Sequence, residues 1–269
     1  MGFPLSPLTR SQAALIRALV QDKKVRVREG AFVLEGAKGC LECLMRHPES
    51  VLSLTLSSCY LREEDPTGRS LRAQLNARQF SCTDHLFLKL SDVPSPQGIL
   101  AVVRTPRWDN RDVWQQSDTI LGVYGERIRD PANVGAIIRT AAGLNLSGLW
   151  LSSDSADCFS PKVVRVTAGT ILDFPVMYVK DCSVFTEHDC SIYSAVLPSS
   201  GIVSLRNIDT IPRRVVLAVG NEGQGLDQKT LEISNVKFSI PLARGVESLN
   251  VAATVAISTF HMSGLQSKV

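Results

Sequence analysis

The sequence predicts an α/β protein of two domains. A small N-terminal α/β domain spans residues 1–106, a linker spans 107–117, and a larger C-terminal α/β domain spans 118–269. Three observations carry this reading. Apolar runs of strand length alternate with segments of helical periodicity along the chain. The stretch Arg104 to Asp118 is polar, contains Pro106 and shows neither apolar period, so it reads as a connection. Beyond it, apolar strands alternate with helices, a pattern that makes a parallel sheet covered on both faces.

Ser11 to Gln21 has apolar residues at helical spacing (Leu15, Ile16, Leu19, Val20), with Ser11 as the expected N-cap. Ala31–Leu34 is a short strand. Gly36 to Arg46 is a helix that His47-Pro48 ends. Leu52–Leu56 is a strand, Ser70–Ala77 a helix, and Gln79–Cys82 and Ile99–Val103 are strands. In the second domain, Thr119–Tyr124 is a buried strand, Asn133–Leu144 a helix and Gly148–Ser152 a strand. Ser160–Ala168 is a helix with Pro161 in its first turn. Val176–Val179, Ile192–Val196 and Val215–Val219 are strands. Leu226–Ile233 is helical, Lys237–Ile240 is a strand, and Ser248–Met262 closes the chain as a helix. Pattern alone suggests a Rossmann-like second domain.

The length fits one large domain or two modest ones, and 44% hydrophobic residues suffice for a packed core. No apolar run reaches the roughly 18 residues of a membrane span. Arg10 and Arg17 stand near the N-terminus without a signal-type apolar run, so a cytoplasmic protein is expected. Seven cysteines without regular spacing argue for reduced, buried thiols. Cys40-Leu-Glu-Cys43 lacks a second ligand pair, so no metal is expected. The net charge is +3, but residues 1–117 hold 16 Lys and Arg against 12 Asp and Glu, and residues 118–269 hold 13 against 14. The densest basic run is Lys23, Lys24, Arg26 and Arg28. It is either a phosphate-binding cluster or a solvated face.

Three segments carry the candidate chemistry. The first is Asn133-Val-Gly-Ala-Ile-Ile-Arg139-Thr-Ala-Ala142, with Asn133 a natural helix cap. The second, Gly220-Asn-Glu222-Gly-Gln-Gly225, is a glycine-rich turn after an apolar strand. Such a turn can cradle a phosphate, but it lacks both the G-K-[ST] ending of a P-loop and dinucleotide spacing. The third runs Ile240-Pro-Leu-Ala-Arg-Gly-Val-Glu-Ser248-Leu249-Asn250-Val-Ala252, with Ser248 the expected cap of the last helix. No G-x-S-x-G occurs and the four histidines are scattered, so nothing suggests a Ser/His/Asp triad.

Together, in this order, the three segments resemble the signature motifs of the SpoU/TrmH family, a branch of the SPOUT superfamily of RNA methyltransferases. The resemblance implies a C-terminal α/β-knot domain with a deep trefoil knot, which no periodicity could reveal. It implies transfer of a methyl group from S-adenosyl-L-methionine to a ribose 2′-hydroxyl of RNA. Phe32-Val-Leu-Glu35-Gly36 and Leu90-Ser-Asp-Val-Pro-Ser-Pro-Gln97-Gly98-Ile99 resemble the L30e-like substrate-binding domain that precedes this catalytic domain. Its presence favours ribosomal RNA over transfer RNA as substrate. A homodimer through the knotted domain is implied as well.

On this resemblance, Arg139, Asn133, Glu222, Ser248 and Asn250 are the candidate catalytic residues. Arginine stays protonated and is a poor base, so Arg139 is expected to grip the substrate phosphate and stabilise the developing alkoxide. Glu222 either orients neighbouring groups or assists the departing proton. Leu197, Gly220, Ile240 and Leu249 are the implied cofactor-binding positions. Lys162 and Arg165, in a segment resembling the one between the first two motifs, join Lys23, Lys24, Arg26 and Arg28 as RNA-binding candidates. The family's Asp-Pro-Gly-Asn phrase is Asp130-Pro131-Ala132-Asn133 here, and Gly125-Glu-Arg-Ile-Arg129 departs from the aspartate-led start of the motif. A catalytically silent RNA-binding assembly factor of the same fold is the rival reading.

Overall fold

Strands and helices alternate as two units, each with its own sheet. The structure is a computed structural model and describes residues 4–115 and 117–266. Gln116, within the expected linker, lies outside the described residues. One unit is Met1–Pro106 with Phe159–Leu172, the other Arg107–Cys158 with Asp173–Val269.

The first unit contains β1 (Leu5–Pro7), α1 (Arg10–Gln21), α2 (Lys23–Glu29), β2 (Ala31–Glu35), α3 (Ala37–Arg46) and β3 (Val51–Ser57). Then come α4 (Ser58–Glu63), α5 (Pro66–Gln74), β4 (Arg78–Cys82), α6 (Asp84–Leu88) and β5 (Ile99–Arg104). The sheet order is β1-β4-β3-β5-β2, with β5 antiparallel to both β3 and β2. Helix α1 is capped by Thr9 rather than Ser11. The Thr9 N–H donates to Gln12 Oε1 at 2.9 Å, and Gln12 N–H returns to Thr9 Oγ1 at 3.4 Å, a reciprocal pair that satisfies two free donors.

The basic run forms helix α2, and this corrects one candidate. Arg26 is 7% exposed, and its guanidinium donates to the carbonyls of Leu19 at 2.5 Å and Val20 at 3.2 Å. These belong to the last turn of α1, whose final carbonyls have no helical donor. Arg26 therefore caps α1 and is withdrawn from any RNA-facing role. Lys23 and Lys24 are exposed, and Arg28 is exposed but paired with Glu29 at 2.8 Å.

The second unit contains α7 (Asn110–Gln115), β6 (Ile120–Gly125), α8 (Pro131–Gly143) and β7 (Leu149–Ser152). Helix α9 (Pro161–Thr167) follows in sequence but belongs to the first unit. The chain returns with β8 (Val176–Val179), α10 (Ser183–Thr186), β9 (Ser191–Ala195), β10 (Val203–Ser204) and β11 (Arg214–Val219). It ends with α11 (Gln228–Glu232), β12 (Val236–Ser239) and α12 (Val251–Gln266). The sheet order is β10-β12-β9-β11-β6-β7-β8 and every pair is parallel. The carboxyl ends of β12, β9, β11 and β6 thus lie side by side on one edge.

Two departures from expectation have physical causes. The stretch read as a linker contains α7, whose Trp114 stacks on Trp150 at 4.7 Å and 7° within the core of the second unit. Val113 is buried beside it, so two adjacent apolar side chains anchor an otherwise polar segment. Helix α9 packs on β2 of the first unit, with Phe159 against Phe32 at 5.1 Å. The cysteines are free thiols, and all but Cys59 are buried.

Arg26→Ala should leave two carbonyls of α1 without a donor and lower stability by about 1–3 kcal/mol. Lys24→Ala, on the exposed side of the same helix, should change it by less than about 0.5 kcal/mol. Urea unfolding of the two variants checks the contrast.

Candidate active site

The site forms where the parallel strands end. In an open parallel sheet the loops leaving the carboxyl edge make a crevice where strand order reverses. Here β6, β7 and β8 run outward in one direction, and β9 begins on the other side with β11 inserted between β9 and β6. Val196–Pro198 leave β9, Gly220–Leu226 leave β11, and Ile240 and Leu242 leave β12. With Glu247–Leu249 and the start of α12 they line a cavity of about 510 Å³. Leu197, Gly220, Ile240 and Leu249 all border it, as do Glu222 and Ser248.

The glycine-rich turn owes its shape to Gly220. A Cβ there would fall 2.2 Å from the carbonyl carbon and oxygen of Gly225, so no other residue fits without moving backbone. Gly225 N–H donates to the Asn221 carbonyl at 2.8 Å, and Asn221 Oδ1 accepts from Gly223 N–H at 2.9 Å. The turn is tied back on itself and presents backbone to the cavity.

Three residues from the three motifs meet in one hydrogen-bonded line. Asn250 Oδ1 accepts from the N–H of Ala252 at 2.9 Å and Ala253 at 3.3 Å, so Asn250 caps α12. This corrects the expectation that Ser248 does so; Ser248 is exposed at the cavity rim. With its oxygen committed, the Asn250 amide nitrogen donates to Asn133 Oδ1 at 2.9 Å. The Asn133 nitrogen then donates to the Glu222 carboxylate. Asn133 is not the cap of α8 either. Asp130 holds that place, accepting from Ala132 N–H at 2.9 Å with Pro131 in the first turn. This leaves the Asn133 side chain free to bridge.

Arg139 lies six residues, or about 1.7 turns, along α8 from Asn133 at 3.6 residues per turn. It is exposed and makes no hydrogen bond or ion pair with any described residue. Arg165 behaves in the opposite way. It forms a two-point ion pair with Asp92, the second contact at 3.1 Å, inside the first unit. Its charge is matched within the chain by Asp92, which sets it apart from the other RNA-binding candidates. Lys162, on the same helix, is exposed.

The sequence reading passed over a group beneath the turn. Glu126, just beyond β6, is buried, and Arg127 follows with a positive φ of 56°. Burial raises the Glu126 carboxyl above the usual carboxylate range, while the Arg127 guanidinium holds Asp227 below it. The available signal was a lone acid at the end of a fully apolar strand.

The cavity suits S-adenosylmethionine. Its volume falls in the roughly 300–1,000 Å³ range of small-molecule sites. Its walls pair apolar side chains with the bare backbone of the turn. Leu197 is 63% exposed at its mouth, an apolar surface that an adenosine-sized group would cover.

Comparison with known proteins places this geometry. The 23S rRNA (guanosine(2553)-2′-O)-methyltransferase RlmP of Bacillus subtilis is 26% identical to this chain, covering 90% of it and 92% of its own length. The 23S rRNA (uridine(2479)-2′-O)-methyltransferase of Streptomyces viridochromogenes is 27% identical over 88% of this chain and 83% of its own. The structure of AdoMet-bound rRNA methyltransferase from Sinorhizobium meliloti superposes with a TM-score of 0.79 at 25% identity, covering 96% of this chain and 97% of the other. Residues 121–260, from β6 through most of α12 and including all three motifs, match the family model of the SpoU rRNA methylases, and the chain belongs to that family.

Proposed function

We propose that the protein transfers a methyl group from S-adenosyl-L-methionine to a ribose 2′-hydroxyl of ribosomal RNA. The observation that carries this is the line Asn250–Asn133–Glu222 beside a cavity bordered by Gly220, Ile240, Leu197 and Leu249, with the unpaired Arg139 on the same helix as Asn133. The named activities of the rRNA methyltransferases it resembles support the substrate class.

The donor, when bound, supplies an electrophilic methyl group on a sulfonium. The chain's own residues position and polarise the acceptor. The turn at Gly220 and the backbone near Ile240 and Leu249 hold the adenosine half, and Leu197 covers it. Arg139 binds a phosphate of the RNA and stabilises negative charge developing on the 2′-oxygen, a charged contact that strengthens as the proton leaves. The proton departs to a phosphate oxygen or water. Glu222 receives the Asn133 amide and so fixes the catalytic edge, and Ser248 stands at the rim beside it. Much of the barrier is removed by this positioning.

The first unit is the RNA-gripping domain in this reading. Lys23, Lys24 and Arg28 on α2, the last paired with Glu29, and Lys162 on α9 are its exposed basic groups among the sequence candidates. A cytoplasmic location follows from the RNA substrate. The knot implied for the second domain belongs to the same proposal, supported by the likeness in fold to the S. meliloti enzyme.

The active form is proposed to be a homodimer. In α12, Val251 and Val255 are buried, while Ile257 and Phe260 are exposed, Phe260 by 71%. With Leu144 and Ala256 they form an apolar hollow between α8 and α12, on the helix that carries Arg139. In this reading a second copy covers the exposed Ile257 and Phe260 side chains.

Three outcomes test the proposal. Arg139→Ala should lower methyl incorporation into ribosomal RNA by about 100-fold or more, while calorimetry shows donor affinity within about twofold of wild type. Near-normal turnover removes Arg139 from the mechanism. Gly220→Ala should weaken donor binding at least about tenfold, because the added methyl cannot coexist with the Gly225 carbonyl. Phe260→Glu should shift the protein from dimer to monomer in sedimentation equilibrium at micromolar concentration. A wild-type monomer with full activity under those conditions overturns the dimer.

A further inference from the structure

The glycine-rich turn and the start of α11 are fastened to the residues that follow β6 by five contacts. The buried Glu126 carboxylate accepts from Asp227 N–H at 3.0 Å and from Thr230 Oγ1 at 3.4 Å. The Arg127 guanidinium pairs with the Asp227 carboxylate and donates to the Gly225 carbonyl at 3.1 Å. The Arg127 carbonyl in turn accepts from Asn221 Nδ2 at 3.1 Å. Beneath these, Glu126 N–H donates to the Val219 carbonyl at 2.8 Å, closing the seam between β6 and β11.

We infer that Glu126 and Arg127 are positioning residues that hold the 220–227 turn in its donor-binding shape. The inference rests on the proposed methyltransferase reading and deepens it. Each end of the turn is gripped: Asn221 at its entry, Gly225 and Asp227 at its exit. The Arg127 side chain is 16% exposed and that of Asp227 54%, so the pair is open to solvent on its acid side while the guanidinium is held against the turn by both Asp227 and the Gly225 carbonyl. A burial cost is also present, since Glu126 is desolvated, and it is offset by donors from Asp227 N–H and from Thr230 on α11. The positive φ of Arg127 is a backbone state that L-residues seldom adopt, and it occurs at the residue that contacts both ends of the turn. The turn carries both the Gly220 wall and Glu222. Loosening it therefore weakens donor binding and slows transfer together, unlike loss of Arg139.

A double-mutant cycle on the full chain tests this. Arg127→Met keeps the apolar stem and removes the fork, and Asp227→Asn keeps the backbone N–H that Glu126 uses. Calorimetric titration with S-adenosylmethionine should show each single variant binding about tenfold more weakly. The double variant should be no weaker than the poorer single by more than about twofold, because both remove one shared contact. Arg127→Lys and Glu126→Gln should recover part of the loss that Arg127→Met and Glu126→Leu cause. KM for RNA should stay within about twofold, a split that general unfolding does not produce. Hydrogen exchange of amides 221–226 should quicken at least about tenfold in the two single variants. Unchanged donor affinity and unchanged exchange in both overturn the inference. If the wild-type chain binds no donor, the methyltransferase reading fails, and exchange alone then decides whether the fastening exists.

Discussion

One hydrogen-bond direction sets the polarity of the active edge. An amide side chain has one accepting and one donating end, and an ionised carboxylate only accepts. The start of α12 takes the Asn250 oxygen, so its nitrogen must face Asn133. Asn133 must then turn its own nitrogen to Glu222. The helix cap thereby fixes two amides and one carboxylate contributed by segments 117 and 89 residues apart in sequence. Replacing any member by a group of the wrong donor type breaks the order of the rest.

Around that line the second unit solves a close-packing problem. Strands β12, β9, β11 and β6 end together, and four loops must leave one edge without colliding. Gly220 makes this possible by letting the turn fold back within van der Waals reach of itself. The core below is stiffened by Trp150, Trp114 and Phe185, with Phe185 edge-on to Trp150 at 5.4 Å. A rigid sheet with a tight turn at its rim gives the cavity walls that do not need to reorganise when filled.

Much of this was legible in the chain. The apolar strands of the second domain were, because burial on both faces leaves long apolar runs such as Val215–Val219. The cavity-bordering positions Gly220, Ile240 and Leu249 were legible through the motifs, not through periodicity, and Leu197, outside the motifs, only through a looser family likeness. Caps were less so: Thr9, Asp130 and Asn250 hold the places expected of Ser11, Asn133 and Ser248, since several good capping residues stand within three positions of each start. Helix α2 was missed because a charged run hides a turn whose one inward arginine serves another helix. The role of Glu126 and Arg127 was out of reach, since their partners lie about 100 residues away. Arg165 reads as a free cation in sequence because nothing local announces Asp92, 73 residues earlier.

The return of Phe159–Leu172 to the first unit has a bearing on how such a protein can be rearranged. Its first unit is discontinuous, so no single cut after Pro106 releases it whole. A fragment ending there leaves the β2 surface and Asp92 without α9, Phe159 and Arg165. Conversely, a second unit transplanted as residues 107–269 carries with it a helix whose apolar side was made for another sheet. Exchange of the first unit between relatives by one crossover in the linker would therefore join mismatched surfaces. The two units must vary as a pair, with α9 matched to the sheet it covers rather than to the sequence on either side of it.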